Sequence, residues 1–149
     1  MSFKILHIED NKDFAKKIED AVVSSNQTGK RRPLELKTIF TPEELSEALS
    51  ADFDLILADL RFPDKDGIDR NRLDDIIRIV KAWNEANNRE RLLPIIAYTR
   101  REGDALDYCL DRRQDLFDIW DKSAASPIYA AWRLSRLAVE LSRTPLLAG

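Results

Sequence analysis

Residues 54–67 read Asp-Leu-Ile-Leu-Ala-Asp-Leu-Arg-Phe-Pro-Asp-Lys-Asp-Gly. Leu55 to Ala58 is an unbroken apolar run between two aspartates. A run this short and continuous reads as a strand, Asp54 to Ala58, buried on both faces as in a parallel sheet. It ends at Asp59, and Asp64 to Gly67 then carries turn chemistry. A carboxylate therefore stands at the carboxyl end of a buried strand, where doubly wound α/β sheets build their sites.

The flanking sequence supplies the rest of such a sheet. Phe3 to Ile8 reads as another buried strand, stopped by Glu9-Asp10-Asn11. Asp13 to Ser24 has Phe14, Ile18, Ala21 and Val22 at helical spacing. Asn26 to Pro33 reads as a loop, and Leu34 to Phe40 alternates as a strand. Thr41-Pro42-Glu43-Glu44 is a helix start, with a capping hydroxyl, proline at the first position and glutamate three residues after the cap. Ile68 to about Asn87 is expected to be one long helix, Leu92 to Tyr98 a strand ending at Thr99, and Gly103 to about Arg112 a weaker helix. Leu116 to Trp120 reads as a strand running into Lys122. Ser126-Pro127 opens a last helix whose inner side is expected to hold Ile128, Ala131, Leu134, Ala138 and Leu141. Strand and helix thus alternate throughout, which implies an α/β fold with a parallel sheet covered on both faces.

Composition sets the frame. The chain of 149 residues fits one domain, read as 1–143 with a tail at 144–149. A net charge of -3 argues against nucleic-acid binding by bulk charge. The single cysteine, Cys109, cannot form an internal disulfide, and no apolar run approaches the roughly 20 residues of a membrane span. These features point to a cytoplasmic protein with no membrane partner.

The strand ends then converge on one rim: Glu9 and Asp10, Asp59, Thr99 and Lys122. Crowded carboxylates repel, and a hard cation such as Mg²⁺, which prefers oxygen ligands, resolves the repulsion. A carboxylate held there can attack phosphorus and form an aspartyl phosphate. Lys122 offers a positive charge to the phosphoryl oxygens, and Thr99 a hydroxyl donor.

Ile8-Glu9-Asp10-Asn11, Asp59 to Gly67, Pro94-Ile95-Ile96-Ala97-Tyr98-Thr99 and Lys122 together resemble the response-regulator receiver family of two-component signalling. The resemblance runs from Phe3 to about Arg143, and Asp59 to Gly67 is its most specific piece. It implies a flavodoxin-like (βα)5 fold with strand order 2-1-3-4-5. It implies Asp59 as phosphoacceptor, Asp10 and Asp59 as direct Mg²⁺ ligands, Glu9 acting largely through water, and the main-chain carbonyl of Arg61 as a further ligand. Thr99 would couple the phosphoryl group to the following loop, and Lys122 would pair with it. A histidine kinase or phosphotransfer protein would be the donor, and a protein partner the output. A homodimer through the face of the fourth helix, fifth strand and fifth helix is a further option. Such a domain is not an enzyme beyond its own phosphorylation and slow dephosphorylation. With no output domain after residue 143, the chain reads as a stand-alone receiver.

Three positions depart from the pattern. Arg100 follows Thr99 where the family has a small residue, and either obstructs the site or adds charge to it. Ser123 replaces the usual proline after Lys122. Ile119 stands where the family often has a switching aromatic, with Trp120 beside it. The stretch from Gly67 to Pro94 is also long, which points to an extended third helix or an extra loop near Asn84 to Leu92. A phosphorylation-impaired scaffold is therefore the alternative function, and a small Mg²⁺-dependent phosphohydrolase a third. Against the last, Arg61 stands where those enzymes commonly carry a second Asp. Taken singly, the acidic residues could be strand-end caps, Thr99 a backbone-bonded hydroxyl and Lys122 a solvated lysine. His7 reads as a satisfied core or edge histidine, Cys109 as a small buried hydrophobe, and Trp83, Trp120 and Trp132 as core or interface residues. Lys30-Arg31-Arg32, Arg100-Arg101 and Arg112-Arg113 read as solvated charges. Arg61 and Arg101 flank the presumed site, where such positions tune phosphoryl lifetime.

Overall fold

The apolar runs read above become the centre of a five-stranded parallel sheet. The computed structural model describes residues 2–28, 32–88, 92–100 and 103–143. Lys30, Arg31, Arg101 and the tail at 144–149 lie outside the described residues. The strands are β1 (Phe3–Ile8), β2 (Leu34–Ile39), β3 (Leu55–Ala58), β4 (Arg61–Pro63), β5 (Asp69–Asn71), β6 (Ile95–Thr99) and β7 (Asp118–Asp121). The helices are α1 (Lys12–Thr28), α2 (Leu45–Ala48), α3 (Leu73–Ala86), α4 (Ala105–Asp111) and α5 (Pro127–Arg143).

The sheet order is β2-β1-β3-β6-β7. With the small β4–β5 ribbon set aside, this is the expected 2-1-3-4-5 order. Every residue of β3 and β6 is buried, as inner strands of a covered parallel sheet require. Alternation along the strands feeds two cores. Ile56 and Ala58 join Leu45, Leu73, Ile76 and Cys109 on one face. Leu55 and Leu57 join Ile18, Val22, Ala130 and Leu134 on the other.

The first helix runs four residues further than expected, to Thr28. Asn26, read as loop, is its anchor: the side chain donates to the Leu34 carbonyl and accepts from the Leu34 N–H, both at 2.8 Å. The helix start at Thr41 takes the form of a 3-10 turn, Pro42–Glu44, that leads into α2. Glu44 reaches back to accept from the N–H groups of Phe40 and Thr41, at 2.9 and 3.0 Å. Glu44→Ala should therefore lower stability by about 1 kcal/mol, read from the urea midpoint. An unchanged midpoint would mean that water replaces this cap at no cost.

The expected helix from Ile68 begins instead at Leu73. Asp64 is the reason: its Oδ1 accepts from the N–H groups of Asp66 and Ile68, at 2.8 and 3.0 Å. Gly67 supplies the positive φ of 78° that the turn needs. The chain thus folds back as the β4–β5 ribbon, leaving Ile68 exposed. The extra length after Gly67 is used partly here rather than only near Asn84 to Leu92, of which 89–91 lie outside the described residues.

A second correction concerns α5. Its buried arc runs through Ala130, Ala131, Leu134, Leu137 and Ala138, and Ile128 falls outside it at 78% exposure. Arg112 is also not simply solvated, since it pairs with Asp74 and links α4 to α3. Trp120 is buried, Trp83 packs against the core, and Trp132 is half exposed. Cys109 is buried as expected. Among the described residues no helix is long and apolar enough to cross a membrane.

Candidate functional site

Backbone hydrogen bonds extend the sheet one step past its strands and set the rim. Glu9 N–H donates to the Ile39 carbonyl at 3.0 Å, Asp59 N–H to Ile8 at 2.9 Å, and Lys122 N–H to Thr99 at 2.9 Å. The side chains that follow are held by the sheet rather than by flexible loops. Glu9, Asp10, Asp59, Arg61, Thr99 and Lys122 line one cavity of about 210 Å³, so the predicted site residues are brought together. Asp69 of the ribbon also lines it.

One oxygen from each of Glu9, Asp10 and Asp59 lies within 4.8 Å of the others. The Lys122 ammonium donates to Asp59 Oδ2 at 3.0 Å and to Glu9 Oε1. Its side chain is only 7% exposed, so it is no solvated lysine. Asp59 Oδ1 accepts from Leu60 N–H at 2.7 Å, and Glu9 Oε2 from Asn11 N–H at 3.3 Å. Burial and then the charge of Asp59 push the Glu9 carboxyl up to about 7, against the pull of Lys122. The same two causes raise Asp10 above the usual carboxylate range. One lysine thus compensates a group of carboxylates only in part. Hard oxygen donors carrying excess negative charge fit a divalent ion such as Mg²⁺.

The ribbon exposes one more oxygen. Asp64 N–H donates to Ile68 and Arg72 N–H to Leu60. In an antiparallel pair these bonds alternate, so Arg61↔Asn71 falls at a non-hydrogen-bonded position. The Arg61 carbonyl therefore points away from β5, free for another partner. The Arg61 side chain reaches Asp104 across 3.9 Å.

The departures now have physical content. Arg100 is exposed at the cavity rim. Ser123 does not loosen its loop, because Asp121 Oδ1 accepts from both its N–H and its hydroxyl, at 2.9 and 2.6 Å. Ile119 packs against the core, and beside it a cavity of about 180 Å³ opens onto Thr99 and Leu106. Trp120 turns to the opposite face, edge-on to Tyr98, so it does not replace an aromatic at 119.

His7 is a core residue on an inner strand, but not a satisfied one. Among the described residues its Nδ1 has no hydrogen-bond partner. Burial, and then Lys122, hold its imidazole at about 3, so it is neutral at physiological pH. Phe14 and Tyr98 are the site neighbours missed in the sequence. Their rings lie 4.3 and 5.9 Å from the Lys122 ammonium. Each fitted its element's apolar pattern, and only the spacing of Phe14 from the acidic pair hinted at more.

The chain is similar in structure to the BeF3-activated receiver domain of DrrB from Thermotoga maritima, with 20% identity, 96% of this chain and 100% of that one covered, and a TM-score of 0.62. Its fold is the receiver fold. A receiver domain protein from Clostridium thermocellum matches at 14% identity over 94% and 97% of the two chains, with a TM-score of 0.62. A receiver domain protein from Methanospirillum hungatei matches at 14% identity over 96% and 98%, with a TM-score of 0.64. No protein-family model and no curated protein sequence matches the chain. At these identities the receiver likeness is one of architecture, and the chemistry rests on the residues of the cavity.

Proposed function

We propose that this chain is a response-regulator receiver that accepts a phosphoryl group on Asp59. The observation that carries the reading is the convergence of Glu9, Asp10 and Asp59 within 4.8 Å, with the Lys122 ammonium bonded to Asp59. Glu9, Asp10, Asp59 and the Arg61 carbonyl would hold Mg²⁺. When bound, the ion neutralises charge on the phosphoryl oxygens.

The chain's own groups do the rest. An Asp59 oxygen attacks phosphorus as the bond to the donor's leaving group breaks. The leaving group is an imidazole when the donor is a histidine kinase or phosphotransfer protein, and acetate when it is acetyl phosphate. Lys122 turns from Asp59 Oδ2 to a phosphoryl oxygen, and the Thr99 hydroxyl donates to another. Both shifts bias α4, β7 and α5 towards a second state that an output protein, or a second copy of the chain, reads. The protein acts as a cytoplasmic signalling domain rather than a turnover enzyme.

Incubation with acetyl phosphate and Mg²⁺ should retard wild type on a phosphate-affinity gel, and Asp59→Ala should show no retarded band. Equal labelling of both would sink the assignment. The open cavity beside Ile119 favours one second reading, a receiver-like scaffold that phosphorylates poorly. Absence of labelling in a folded wild type, with kinase and with acetyl phosphate, would select it.

A further inference from the structure

Tyr98 precedes Thr99 in β6 and faces the opposite side of the sheet, because strand neighbours alternate. Its buried ring is tilted against Phe14 at 5.5 Å and stands edge-on to Trp120 at 5.9 Å. Its hydroxyl donates to the Ala125 carbonyl at 2.5 Å. Ala125 lies in the segment between Lys122 and α5. That segment is thus tied to β6 twice: by Lys122 N–H on the Thr99 carbonyl at 2.9 Å, and by the Tyr98 hydroxyl.

We propose that Tyr98 is a positioning residue for Lys122. Its hydroxyl fixes the loop through Ala125, and its ring and that of Phe14 wall in the ammonium facing Asp59. The proposal rests on the phosphoacceptor reading of Asp59. The physical need is plain. Lysine is a point charge on a flexible stem, and its ion pairs to Glu9 and Asp59 fix its tip but not the backbone that carries it. When the tip moves to a phosphoryl oxygen, the loop has to stay. Phenylalanine would fill the ring's place equally well. A hydroxyl buried in this aromatic cluster costs free energy unless it is bonded. Among the described residues its hydroxyl bonds to the Ala125 carbonyl, in the loop that carries the lysine.

Tyr98→Phe keeps the ring and removes only the tie. With acetyl phosphate and saturating Mg²⁺, the labelling rate of the variant should fall about tenfold, as for a small misplacement of a reacting group. The Mg²⁺ concentration giving half-maximal rate should not move. A purely structural tyrosine would lower the melting temperature and leave the saturated rate alone, which would overturn the proposal. A second arm needs no phosphorylation. Hydrogen exchange at the Lys122 ammonium, followed by proton–nitrogen NMR, should quicken several-fold in Tyr98→Phe. An unchanged exchange rate would overturn the proposal whether or not labelling occurs. Quickened exchange in a protein whose wild type is never labelled would retain the loop tie and remove the phosphoacceptor reading.

Discussion

Lys122→Met should destabilise the metal-free protein by about 3 to 5 kcal/mol, the usual cost of breaking a buried ion pair from one side. Lys122 bridges Glu9, which is fully buried, and Asp59, whose side chain is 14% exposed. Methionine keeps a stem of similar length and leaves those two carboxylates facing each other without a cation. The loss is far larger than that of a surface pair, worth about 1 kcal/mol or less, because solvent cannot screen the charges here. Urea unfolding in EDTA measures it. Under the proposed function Mg²⁺ should then recover part of the deficit, since an ion held by Glu9, Asp10 and Asp59 would bind the folded form and compensate their charge. A change below about 1 kcal/mol would mean that Glu9 and Asp59 are solvated and that the lysine is ornamental.

Phe62→Ala should cost about 3 to 5 kcal/mol, as truncation of a buried aromatic does. Phe62 is 1% exposed and belongs to the same core cluster as Leu60, Leu73 and Ile76. It is also the one buried residue of β4 and β5, whose other members are exposed or half-buried. The ribbon therefore hangs on a single apolar anchor. Because Arg61 is its neighbour, the variant should also need more Mg²⁺ for half-maximal labelling. Loss of stability with unaltered Mg²⁺ dependence would show that the Arg61 carbonyl contributes nothing to the ion.

Much of this molecule can be read from its residues, and each exception has a physical cause. The strands were legible because Leu55 to Ala58 and Ile95 to Tyr98 are apolar on both faces, a pattern that a solvated strand cannot sustain. The rim was legible because the order of the chain alone places Glu9, Asp10, Asp59, Thr99 and Lys122 at strand ends. The ribbon was not, because Asp69 to Asn71 carries no apolar alternation, and its pairing depends on Asp64 folding the chain back. Ile128 was misplaced because it lies one turn too early, where small alanines meet the sheet. Its neighbour Tyr129 is exposed as well. The roles of Tyr98 and Phe14 were hidden for a different reason. Each fills its own element's apolar pattern, and only the crossing of β6, α1 and the Lys122 loop in space gives them a second duty.

The contact between Glu9 and Lys122 closes a separation of 113 residues. Closing a loop of that length costs about 4 kcal/mol of chain entropy in addition to a constant, and it is repaid only when the intervening sheet has formed. A chain still emerging from the ribosome holds Glu9, Asp10 and Asp59 long before Lys122 has been synthesised. Such a nascent chain has the three carboxylates but lacks the ammonium that faces two of them, so the compensated rim is complete only after the last strand. Under the proposed function, a chain cut short of Lys122 would keep Asp59 and lose the ammonium that faces it.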